Sequence, residues 1–211
     1  MKRSHRQAIL DLSIEASLIV FSVMLALAAN RWRDQHAAQQ RLIAAEQHIR
    51  IELEDNRVIL LDMIPYHEAE VRRIGQFLTR SDLSERIRGH SFHDLEGELM
   101  PRGVWNPTVS PKDLSDSAWR SALSDHSASQ MSPQLLNELT AYYAVQNSGV
   151  QHTLQFTLQQ LLAPAMFDPR STNLMLRASQ GGLNELVGEE KGLLTYTNGA
   201  LKALPGASER H

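Results

Sequence analysis

IEASLIVFSVMLALAANRWRDQ, residues Ile14 to Gln35, decides how the rest of the chain is read. An apolar run opens with one glutamate and closes abruptly at Arg31-Trp32-Arg33. Between Leu12 and Ala29 the only charged residue is Glu15. At about 1.5 Å per residue a helix over this span covers about 27 Å, close to the ~30 Å hydrocarbon thickness of a bilayer. A soluble core helix keeps a polar face, whereas Leu18 to Ala29 holds a single polar side chain, Ser22. A cleavable signal peptide is the competing reading. Lys2, Arg3 and Arg6 precede the run, and Ala26-Leu27-Ala28 fits the A-x-A cleavage pattern. Against it, Asp11 and Glu15 interrupt the entry to the run, and Arg31 and Arg33 follow the cut at once. The helical pattern also continues without Gly or Pro as far as Pro65. The expectation is a retained anchor over residues 1–33 that meets the lipid bilayer through residues 12–29.

Charge is unevenly spread. The 211 residues carry a net charge of −3, yet residues 1–33 hold five basic side chains against Asp11 and Glu15, leaving the remainder acidic. An acidic body lacks the clustered Lys and Arg that nucleic-acid binding needs, so no nucleic-acid partner is expected. The basic N-terminus suits a lipid surface. Three basic residues precede the span and two follow it closely, which favours a cytoplasmic N-terminus and a periplasmic body in a bacterial inner membrane. No cysteine is present, which removes disulfides, thiolate metal sites and thiol catalysis together.

One face of the anchor is distinctive. Asp11, Glu15, Ser22, Ala26, Ala29 and Arg33 fall near one line at 100° per residue. Small side chains at Ser22, Ala26 and Ala29 allow close helix approach, and Glu15 avoids lipid by facing the same seam. This is a candidate self-association face. The bland alternative places Asp11 and Glu15 in the headgroup zone.

The pattern E-x-x-L-I-V-x-S-V-x-L-A-L-x-x-N-x-W-R runs from Glu15 through Leu18, Ser22, Leu27, Asn30 and Trp32 to Arg33. It resembles the N-terminus of uncharacterised small single-pass bacterial membrane proteins, which run from an anchor into a long charged helix. The resemblance covers residues 12–75 and, more loosely, Trp119 to Tyr143. It implies an anchor and a bacterial source, and it carries over no catalytic residue.

Beyond the anchor the chain is expected to be all-α, with the long helix packing in an antiparallel helical bundle over residues 34–204. Leu42, Ile49, Asn56 and Met63 occupy one heptad position, and Glu46, Leu53, Leu60 and His67 the other. The stripe continues through Val71, Ile74 and Leu78. Such a seam forms either a coiled coil with a second copy or the inside of a bundle. Asn56 suits both, as a register-setting residue between copies or as a satisfied polar group in a core. Pro65 is expected to kink or end the long helix 34–80 just before it, giving two segments of about 34–64 and 66–80. Residues 81–113 are rich in Gly and Pro, with one short helix expected around Phe92 to Leu99. Ser110-Pro111 and Ser132-Pro133 are helix-start signals, for helices over about 111–125 and 132–163. A polar link, Pro169 to Gly182, then leads to a last helix over 183–204 and a tail, 205–211.

Chemistry is sparse. His90, His93 and Glu96 are the best metal candidates, since spacings of three and six place them on one helix face. The Gly-flanked context makes that signal weak. His67 is a candidate protonation switch or a hydrogen-bonded structural histidine. Glu52 and Glu54, like Glu189 and Glu190, are expected on solvated faces. Trp105, Trp119 and Tyr142 can line a pocket or simply fill core. No nucleophile elbow or phosphate-binding loop is present. The expectation is therefore a single-pass, membrane-anchored helical interaction or scaffold protein without catalytic activity or cofactor. It self-associates or binds another membrane protein. The alternatives are an extracytoplasmic ligand-sensing bundle acting through a partner, and a metal-dependent enzyme.

Overall fold

The computed structural model of the chain describes residues 2–100, 114–161 and 163–206, with residues 2–16 and 161 as backbone only. All regular structure among them is helical. The elements are α1 (Lys2–Leu78), α2 (Leu83–Arg86), α3 (Phe92–Leu99), α4 (Ser117–Ser124), α5 (Pro133–Val145), α6 (Gln151–Leu161) and α7 (Thr172–Ala203). The chain divides into two compact units, Met1–Ala44 and Ala45–His211, and α1 contributes to both.

In the first unit the side chains from Leu18 to Leu25 are all exposed, so apolar groups point in every direction around the helix. Among the described residues no helix is long and apolar enough to cross a membrane. Residues 12–16 of the 12–29 stretch lie outside the described side chains.

The second unit is built on three long rods. Arg50 donates to the Leu204 carbonyl at 3.0 Å, Arg57 to Asn198 at 3.1 Å, and Lys191 meets Glu68 at 2.6 Å. The numbers rise on α1 as they fall on α7, so these two run antiparallel. Glu52 and Asn56 meet Tyr143 and Tyr142, while Leu60 and Met63 share a cavity wall with Val150 and Leu154. The body part of α1 therefore runs parallel to α5 and α6. The expected bundle is helical, but its first two rods point the same way.

At one end of this unit Ile74, Phe77, Phe92, Leu95, Leu99, Met166 and Leu176 form a closed apolar cluster. The short α3 is set by a capping box. Ser91 Oγ accepts from the Asp94 amide, and the Asp94 carboxylate accepts from the Ser91 amide at 2.7 Å. At the other end Trp119 stacks on Tyr143 at 5.3 Å, and Tyr142 meets Tyr143 edge-on at 4.8 Å.

Several element expectations change. Pro65 lies inside α1, which continues to Leu78. Leu61, whose carbonyl loses its partner to Pro65, is on the exposed side with Pro65 itself, where solvent can satisfy it. The buried Ile64 and His67 keep the opposite face docked. The helix expected from 111 begins only at Ser117, because Asn56 holds both backbone groups of Ser115 in a non-helical turn. The Ser110-Pro111 start lies outside the described residues. The rod after Ser132-Pro133 is not one α-helix, since Gln146–Val150 form a π-turn between α5 and α6. The link Pro169 to Gly182 is helical from Thr172 onward. A Cβ on Gly182 would sit 2.9 Å from Thr157 Oγ1, so this glycine marks close approach of α6 and α7 rather than a break.

Candidate functional site

Two side chains one turn apart on α1 organise the best-built polar site. The Glu52 carboxylate accepts from Ser115 Oγ at 2.7 Å, Ser117 Oγ at 3.0 Å, the Ala118 amide at 2.9 Å and Tyr143 Oη at 2.7 Å. It thereby caps α4 from a different helix, since Asp116 makes no side-chain cap of its own. Burial works against its charge, but the Ala118 amide and the Ser115, Tyr143 and Ser117 hydroxyls outweigh it. The carboxyl is held below the usual range. The same burial, with the neighbouring carboxylate, pushes the Tyr143 hydroxyl far up, so it stays a neutral donor. Tyr142 is also raised, by burial first.

Asn56 extends the network. Its Oδ1 accepts from the Ser115 amide at 2.9 Å, and its Nδ2 donates to the Ser115 carbonyl at 2.8 Å and to Tyr142 Oη at 2.9 Å. Gln146, in the π-turn, donates to the Leu114 carbonyl at 2.9 Å. The segment from Leu114 to Trp119 is thus fastened to α1 and α5 by side chains rather than by its own helix. A shallow groove of about 350 Å³ borders Glu52, with His48, Ile51, Asp55, Ser115, Ser117 and Ala118 on its walls.

A second buried pair lies farther along α1. His67 Nδ1 is 2.9 Å from Glu190 Oε1 and 3.1 Å from Oε2, and both side chains are almost fully enclosed. Glu52 and Glu190 thus correct the expectation of solvated carboxylates, while their neighbours Glu54 and Glu189 are exposed and half-buried. The sequence signal for Glu52 is its place between seam positions Ile49 and Asn56. For Glu190 it is spacing from the apolar Leu186 and Leu193.

The other singled-out residues are placed as follows. His93 Nδ1 lies 3.3 Å from Glu96 Oε2, and Glu96 is buried. His90 sits before α3 with its carbonyl accepting from Thr172 Oγ1 at 2.6 Å. Among the described residues no group of three His, Asp or Glu side chains is arranged to hold a metal ion. Trp119 and Tyr142 are core, on either side of Tyr143, and Trp105 lies outside the described residues. Ser22, Ala26 and Ala29 are exposed, with Ser22 Oγ donating to the Leu18 carbonyl at 2.8 Å, while the Glu15 side chain lies outside the described ones. Asn56 is enclosed in its own body, with its amide spent on Ser115 and Tyr142.

These features define an all-α chain with a helical body around a buried polar network. No family model matches it, and no curated protein or solved structure is significantly similar to it.

Proposed function

We propose that the chain is a single-pass, membrane-anchored helical protein that serves as an interaction or scaffold module and catalyses nothing. The observation that carries this reading is the first unit. Leu18, Ile19, Val20, Phe21, Val23, Met24, Leu25 and Leu27 are each more than half exposed. Apolar surface on all sides of one helix needs an apolar surrounding, because each such side chain is worth about 1.5–3 kcal/mol when taken from water. With residues 12–17 the run reaches the length of a span. Trp32, stacked on His36, and Arg31 and Arg33 suit the headgroup zone. In this reading the N-terminus is cytoplasmic, the body is periplasmic, and copies meet along Glu15, Ser22, Ala26 and Ala29. The body's buried polar groups serve its own fold, which suits a scaffold.

The groove beside Glu52 supports a second reading, a ligand-sensing body that acts through a partner. Its walls carry His48 and Asp55, both exposed.

The test is a reporter active only outside the cytoplasm, fused after His211, with the size and membrane fraction of the product checked. An active, full-length, membrane-bound product is expected. An inactive full-length product places the body in the cytoplasm. A shortened soluble product sinks the anchor and makes Ala28 a cleavage point. For self-association, Ser22→Cys in this Cys-free chain should crosslink in membranes, and monomer alone would remove that part of the proposal.

A further inference from the structure

The body carries a charge pair that no surface needs. His67 of α1 and Glu190 of α7 meet at 2.9 Å with their side chains 5% and 2% exposed. We propose that this pair is a pH-sensitive clasp that fastens α7 to α1 only while the two groups are together net neutral.

The argument starts from desolvation. A histidine and a carboxylate in contact carry no net charge when they share one proton. It makes no difference to the sum whether the proton sits on the imidazole or on the carboxyl. Adding a second proton leaves a lone positive charge, and removing the first leaves a lone negative one. Either state strands an uncompensated charge in the interior, which is strongly unfavourable.

The surroundings sharpen this. On α1 the Tyr66 ring tilts over His67 at 5.5 Å, and its hydroxyl is bonded to Glu70, which is itself buried. Glu68, next to His67, pairs with Lys191, next to Glu190, at 2.6 Å. On α7, the Glu189 carboxylate lies against Gly149 of the π-turn. On α6, Gln151 and Leu154 supply no ionisable group to the wall that Glu190 faces.

Glu190 also lines an enclosed cavity of about 30 Å³, together with Met63, Leu114 and Leu186. That volume holds a single small group such as a water. The rods fastened by the clasp include α1, whose N-terminal part carries the apolar run, but the inference does not depend on that anchor.

The experiment uses the full chain in lipid nanodiscs, with spin labels at Val58→Cys and Thr195→Cys, both exposed sites on α1 and α7. Distances are recorded from about pH 3 to about pH 10, a wide range because a stranded buried charge is unfavourable at either edge. One short distance is expected in the middle of the range, with a longer population rising several-fold towards each end while helix content holds. Glu190→Gln should abolish the alkaline change, because no carboxylate is left to strand, and His67→Gln the acidic one, because no base is left to take the second proton. A wild-type distance that ignores pH overturns the proposal, as does loss of helix content in step with the distance. Unchanged pH response in both variants overturns it too. If the variants fail to fold, the His67 ring resonance of the wild type must titrate with one of the two midpoints of the distance, and a mismatch with both overturns the clasp.

Discussion

Glu52 shows what a single residue can do in this body. In sequence it is one acid among several on a long helix, and its place between seam positions Ile49 and Asn56 is the one local hint that it is enclosed. Its partners lie more than sixty positions away, in a segment whose own backbone does not form a cap. That is why it was not legible, whereas the neighbouring Asn56 stood out by its place on an apolar seam. Removing the charge should be costly, because the Ala118 amide and three hydroxyls would lose a strong acceptor. Glu52→Gln is expected to lower the unfolding free energy by about 1–3 kcal/mol at neutral pH, read by urea titration. The pH dependence follows from the depressed carboxyl. The folded state binds the proton more weakly than the unfolded chain, whose carboxyl titrates near 4.5. The contribution is therefore complete well above that value and is lost as pH falls through the lower folded value. Wild type should lose stability over this acid window more steeply than Glu52→Gln. Parallel curves would mean that Glu52 is not the group responsible.

Elements were legible where local chemistry settles them. The Ser132 hydroxyl accepts from the Leu135 amide at 3.2 Å with Pro133 at the first turn, as the dipeptide indicated. Ser91 and Asp94 likewise fasten α3. The misread stretches are those where a distant contact overrides the local preference. Gly181-Gly182 reads as a break, yet both lie inside α7. The two glycines differ in what surrounds them. A Cβ at Gly181 would meet nothing within 4 Å, whereas one at Gly182 would meet Thr157 Oγ1 at 2.9 Å. Gly181→Ala should therefore gain most of the helix preference of alanine, about 0.5–1 kcal/mol. Gly182→Ala should fall short of that gain or reverse it, because β-branched Thr157 has few alternative rotamers. Chemical denaturation of the two variants side by side checks the order. Equal gains would show that the α6–α7 contact yields freely.

Across the whole molecule, periodicity was enough to give helices and the faces they bury, but not their directions. Heptad positions Ile49, Leu53, Asn56, Leu60 and His67 are all buried, so the stripe was correctly located as a seam. Whether that seam met a second copy or the chain's own later helices could not be read from one strand of sequence. The partners Tyr142 and Glu190 carry no mark that pairs them with Asn56 and His67. The parallel run of α1 with α5 and α6 is equally invisible, since it is allowed only by the long excursion through α3 and α4. The division at Ala44 leads to the last prediction. The body's apolar cluster, its aromatic stack and the buried Glu52 and Glu190 all draw on residues after 44. A fragment of residues 45–211 should then unfold in one cooperative step, with the near-ultraviolet signal of Trp119, Tyr142 and Tyr143 retained beforehand. The exposed apolar run lies wholly before the division. Full-length chain should therefore sediment with membranes and the fragment should stay in the supernatant. A fragment that folds yet remains with membranes would move the lipid contact into the body. A fragment without cooperative unfolding would mean that the first unit supplies stability that the body's own core does not.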